Sequence, residues 1–251
     1  MKRITCVSFI LAIVIFFATS CTSSTTPPSQ KANLCDLKDY TLDDTIFELS
    51  KEELESVMAA KFSAIDIEVS PDGLKDQDVK VFNCNSVTEY KTIIIKEIVS
   101  HRLVEEYYNY LLENSYVECN KSTEQFVSEI LNNCERIAKQ KEISLDEFLL
   151  SSFQMNKQDF NDFISSVWVD MQIVFAYCDS CKIEPPTEVE FQNAKSQLVA
   201  SQDIEFLLAN DSITNDFIKY SVLSEKLYTY IESVFSDQIG RYSSMLVSEL
   251  T

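Results

Sequence analysis

The chain has 251 residues, with 21 Lys plus Arg against 40 Asp plus Glu and a net charge of −19. So acidic a chain repels phosphate backbones and anionic headgroups, which excludes nucleic acid as a partner. Only two glycines, Gly73 and Gly240, are present; hairpins draw on glycine for positive φ, so β-barrels and sandwiches are disfavoured and a mostly α fold is expected.

In chain order, Lys2 and Arg3 precede the apolar run "VSFILAIVIFFA". That run is shorter than the ~20 residues of a bilayer span, so residues 1–20 read as a signal peptide. Ala18-Thr19-Ser20-Cys21 resembles a bacterial lipobox, with Cys21 as the lipidation site, although Ala18 stands where a branched apolar residue is usual. Ordinary cleavage nearby, releasing a free secreted chain, is the alternative. Removing residues 1–20 takes two positive charges and leaves a net charge of −21. Membrane attachment must then come from lipid on Cys21. The expected location is extracytoplasmic, on the bacterial cell membrane, or on the outer membrane of a two-membrane cell. There, Thr22 in place of Asp leaves no inner-membrane retention signal. Residues 21–33, with "TSSTTPPSQKAN", read as a lipidated flexible tether.

Helix starts then recur. Ser50-Lys-Glu-Glu53, Ser86-Val-Thr-Glu89, Ser122-Thr-Glu-Gln125, Ser144-Leu-Asp-Glu147 and Thr187-Glu-Val-Glu190 fit the capping-box pattern, and Asn156-Lys-Gln-Asp159 is a looser version. They predict helices at about 50–60, 86–117, 122–140, 144–153, 157–180, 187–202 and 213–235, with a short one over 203–209. Residues 34–85 form an irregular N-terminal segment with one helix, in which "FSAIDIEVSPDG" alternates enough for a short strand. Residues 86–251 form a helical domain.

The stretch "SVTEYKTIIIKEIVSHRLVEEYYNYLLENSYV" carries two apolar stripes on a helical wheel. One holds Tyr90, Ile93, Ile94, Val104, Tyr108, Leu111 and Leu112; the opposite one holds Val99, Leu103, Tyr107 and Tyr110. A surface helix needs one stripe. Two stripes mean a central helix packed on both sides, or one side left for a partner, and the pattern alone does not choose.

From here the chain resembles a family. "FNCNSVTEYKTIIIKEIVSHRLVEEYYNYLLENSYV" looks like the first long helix of the trigger factor C-terminal domain. "SLDEFLLSSFQMNKQDFNDFISSVWVDMQIVFAYC" resembles that domain's short helix, turn and long helix. "EVEFQNAKSQLVA" and "FIKYSVLSEKLYTYIESVF" resemble its closing helices. The likeness covers about residues 80–236, in order, and SurA-type and PrsA-type chaperones share this plan. "LKDYTLDDTIFELSKEELESVMA" looks like the lead into an isomerase domain, which makes 34–85 a remnant of that linker. Two domains are missing: nothing matches the ribosome-binding domain, and the roughly 25 residues near 60–85 are too few for an FKBP-type prolyl isomerase.

The resemblance implies an elongated multi-helix chaperone domain that offers apolar side chains to unfolded or nascent exported polypeptides, with neither ribosome binding nor catalysis. On it, Tyr107, Tyr110, Phe153, Met155, Phe160 and Phe163 become candidate client-binding residues, with Phe206 and Leu207 behind them. Burial in the core is the competing assignment for each. Other readings are an isomerase-related enzyme, a thiol–disulfide enzyme using Cys178 and Cys181, and an assembly lipoprotein with one dedicated partner.

Six cysteines remain after Cys6 and Cys21, an even number that favours disulfides in an exported chain. Cys119–Cys134 and Cys35–Cys84 are the expected pairs. Cys178-Asp-Ser-Cys181 has redox-motif spacing but sits at a helix C-terminus beside Asp179, where thiolate is disfavoured; a local disulfide or plain thiols are expected. One histidine, His101, and one CxxC motif make no zinc centre, and neither metal nor cofactor is expected.

Overall fold

The structure is a computed structural model that describes residues 32–67, 73–118, 123–199 and 211–250. It is mostly helical, with no strands among those residues. The helices are α1 (Lys51–Ser63), α2 (Val87–Asn114), α3 (Thr123–Gln140), α4 (Leu145–Phe153), α5 (Lys157–Ser180), α6 (Glu188–Val199), α7 (Asp211–Val234) and α8 (Ser236–Leu250). Short 3-10 turns cover Leu37–Asp39, Asp44–Phe47 and Asp78–Phe82.

The capping residues act as their chemistry requires. Ser50 Oγ accepts from Glu53 N at 3.0 Å, and Ser86 Oγ accepts from Glu89 N at 3.1 Å. Ser144 and Glu147 close a complete capping box. Asn156 Oδ1 accepts from Asp159 N at 3.0 Å, and Thr187 Oγ1 accepts from Glu190 N at 3.3 Å. Each side chain satisfies an amide that the helix leaves without a partner. Helix ends explain the scarcity of glycine. Asp66, Asn83, Glu142, Gln154 and Lys182 all take left-handed backbone, with φ of 57–60°, where glycine is the usual choice.

Three expectations are corrected. Residues 62–67 of the expected strand segment form none, and 68–72 lie outside the described residues: α1 runs on to Ser63, and a turn at 64–66 ends with Ile67 N on Phe62 O at 3.1 Å. The long helix stops at Asn114, not 117, because Tyr116 pairs in an antiparallel bridge with Asn33. Helix α8 lies beyond the last expected helix; it buries Ile239, Tyr242 and Leu246 despite Gly240 in its interior. The expected helix at 203–209 lies outside the described residues.

The chain divides into two compact units. Among the described residues, the first holds those of Asp36–Leu111 and 228–250; the second holds 32–35 and those of Leu112–Leu227. The division falls at the end of α2 and within α7, whereas the sequence reading placed its boundary between residues 85 and 86.

In the first unit, the irregular segment 36–50 is tied to α2. Arg102 donates to the carbonyls of Ile46 at 3.1 Å and Glu48 at 2.7 Å, and its other guanidinium nitrogen pairs with Glu53. Phe47 stacks on Tyr242 of α8, with centroids 3.8 Å apart, and the Tyr242 hydroxyl donates to Asp44. Phe62 meets Phe82 and Tyr90 edge-on. In the second unit, α3, α4 and α5 pack on one another. Their core includes Phe126 stacked on Trp168 at 4.2 Å, with Ile130, Leu149, Phe160, Ile164 and Met171 buried beside them.

Candidate functional site

Most of both stripes of α2 is buried; Ile93 is 41 % exposed, and Leu112 and Tyr110 are half-buried. Tyr90, Ile94, Tyr108 and Leu111 are buried on one side, and Val99, Leu103 and Tyr107 on the other. Tyr107 lies 3.7 Å from Phe235, ring on ring, takes Tyr40 edge-on, and donates its hydroxyl to Gln238 Oε1 at 3.3 Å. Tyr110 is half-buried and stacks on Tyr40 at 4.5 Å. The second stripe is therefore packed core. Tyr107, 2 % exposed, is withdrawn as a client-binding residue, and Tyr110 is largely claimed by Tyr40.

Of the remaining described candidates, Phe153 ends α4, Met155 lies in the turn, and Phe160 and Phe163 lie on α5 of the second unit. Phe160 is fully buried and is withdrawn too; its ring holds Phe153 at 4.9 Å and so joins the two helices. Phe153, Met155 and Phe163 are half-buried around the corner between the helices. Leu150, one turn before Phe153, is 63 % exposed, and sequence reasoning missed it. The signal was present in "FLLSSF": only two of those three successive apolar side chains can face the core on a nine-residue helix. Gln154 holds the corner in left-handed backbone, with its N–H on Leu150 O at 3.1 Å. Phe206 and Leu207 lie outside the described residues.

Asp170 was also missed. It is half-buried on α5, and among the described residues no donor or cation is seated on its carboxyl; burial alone pushes its pKa up to about 7. Wheel position places it on the strip of Asp159, Phe163 and Ser166.

The thiols are not poised for chemistry. Cys178 is buried, its Sγ directed at Leu223 O at 3.8 Å, and burial, then Cys181 and Asp179, push its pKa up to about 12. Catalysis requires the opposite shift. Cys181 is half-exposed beside it as a thiol, so no local disulfide closes the motif. The expected Cys35–Cys84 bridge is not formed either. Cys84 is a buried thiol directed at Phe82 O, while Cys35 takes its contacts from Ser115. Cys134 is buried with its pKa pushed up to about 12, and its expected partner Cys119 lies outside the described residues. His101 is exposed and pairs with Glu105 at 3.2 Å. Among the described residues no His, Cys, Asp or Glu cluster could hold a metal, and no helix is long and apolar enough to cross a membrane.

Set against family models, curated proteins and solved structures, the chain matches none of them.

Proposed function

We propose that this chain is an extracytoplasmic, lipid-anchored holdase that binds unfolded exported polypeptides, built on a trigger-factor-like helical plan and tethered through Cys21. The observation that carries the reading is the α4–α5 corner. Leu150 stands exposed on α4, Met155 in the turn and Phe163 on α5 are half-buried, and the Phe153–Phe160 ring contact joins the two helices. Adaptable and large apolar side chains on a fixed frame bind extended chain without reading its sequence. The acidic remainder of the chain keeps such a surface soluble.

The test is suppression of aggregation. Increasing amounts of the protein are added to several unrelated aggregating proteins, and light scattering is followed. Suppression near equimolar ratio, lost in the double variant Leu150→Ser/Phe163→Ser with helicity retained, is the expected outcome. Failure with every client would sink general chaperoning and turn attention to a single dedicated partner.

A further inference from the structure

We propose that the α4–α5 corner receives polypeptide segments that are both apolar and cationic, with Lys or Arg side chains seated against the acids that border Leu150 and Phe163. The proposal deepens the holdase reading and rests on it. Exposed Leu150 and half-buried Phe163 each have an acid one helical turn before them: Asp146 precedes Leu150 on α4, and Asp159 precedes Phe163 on α5. Asp162 adjoins Phe163, and Asp170 follows it two turns later on the same strip. From Leu145 to Asp170 the chain has five acids, Asp146, Glu147, Asp159, Asp162 and Asp170, against one base, Lys157.

Some of these acids are occupied locally. Glu147 completes the α4 capping box, Asp159 accepts from Asn156 Nδ2 at 2.6 Å, and Asp162 accepts from Gln158 Nε2 at 3.0 Å. These are neutral donors, which leave the negative charge uncompensated. Among the described residues, Asp170 lacks even that: a carboxyl half-removed from water gains most from an arriving ammonium or guanidinium. A neutral apolar segment would fill the corner and leave this charge unanswered, and an acidic one would be repelled. Lipid headgroups, zwitterionic or anionic, present phosphate to the same acids and are disfavoured.

The experiment uses the full chain in nanodiscs of zwitterionic lipid, with empty nanodiscs as the control. Three fluorescent peptides share one pattern of Leu and Phe and carry Lys, Gln or Glu between them. The Lys peptide should bind about tenfold more tightly than the Gln peptide at low ionic strength, an advantage shrinking to about twofold near 300 mM salt. The triple variant Asp146→Asn/Asp162→Asn/Asp170→Asn should remove the advantage and leave the Gln peptide unchanged. None of these three side chains caps a backbone amide of α4 or α5. Equal binding of the Lys and Gln peptides, or a preference that survives the triple variant, overturns the cationic assignment while the holdase reading stands. A Lys peptide held as tightly after Leu150→Ser/Phe163→Ser overturns the location. No binding of any peptide, together with no suppression of aggregation, overturns both.

Discussion

The first unit and the α4–α5 corner treat the same material in opposite ways. Helix α2 has apolar residues on two sides, and the chain covers most of both, Ile93 excepted: Phe62 and Phe82 close on Tyr90, Tyr40 and Phe235 on Tyr107, and Tyr228 on Tyr108. At the corner, the chain buries Phe148, Leu149 and Phe160 and leaves Leu150 outside. A second apolar stripe is thus not a mark of a binding surface. What distinguishes the proposed binding surface is that its unit leaves Leu150 63 % exposed among the described residues.

Substitution makes that contrast measurable. Phe160→Ala and Tyr107→Ala each remove a buried ring and should cost about 3–5 kcal/mol, which lowers the melting temperature by roughly 6–20 °C. Leu150→Ser removes a side chain already in water and should stay within about 0.5 kcal/mol of the parent. Thermal unfolding followed by circular dichroism gives both values. A large loss from Leu150→Ser would mean that the corner is structural, and the contrast would collapse.

The next effect separates stability from pH. Asp170 has a folded-state pKa raised to about 7 from an ordinary 3.8, so between those values the folded state holds more protons than the unfolded one. Stability therefore falls as pH rises through that window, and the full penalty stands above about pH 7. Asp170→Asn should be neutral near pH 4 and stabilising at pH 8, by at most on the order of 4 kcal/mol. Chemical denaturation at the two pH values checks it; a gain of equal size at both would assign the effect to packing instead.

Much of this was legible in the sequence. The caps at Ser50, Ser86, Ser144, Asn156 and Thr187 were readable because a cap needs only residues three apart; that expected at Ser122 lies outside the described residues. The α4–turn–α5 unit was readable from Ser144 to Ser180 for the same reason. Helix α8 was not, because its start carries no capping box and Gly240 argues against a helix interior; what holds it is tertiary, Tyr242 on Phe47. The site was half legible. The resemblance named Phe153, Met155 and Phe163 as candidates, but neither it nor wheel positions could say that Tyr40 and Phe235, distant along the chain, would claim Tyr107. Asp170 was invisible among 40 acids, since an uncompensated carboxyl is defined by what does not surround it.

The smallest effect concerns how rigidly the corner is held. Gln154, between Phe153 and Met155, has φ 57°, and Asn83 in the first unit has φ 60°. A Cβ strains left-handed backbone, and Asn relieves that strain better than other side chains because its short amide bonds locally. Gln has no such relief. Gln154→Gly should therefore stabilise by about 0.5–1 kcal/mol, the strain relieved exceeding the entropy that glycine adds to the unfolded chain, while Asn83→Gly should change little. Denaturant midpoints at unchanged slope would read the difference. A gain at Asn83 equal to that at Gln154 would contradict the strain argument. If Gln154→Gly gains stability yet weakens client binding, the strained corner residue serves to hold Phe153 and Met155 in place, and the chain has kept a conformational cost where its apolar surface meets water.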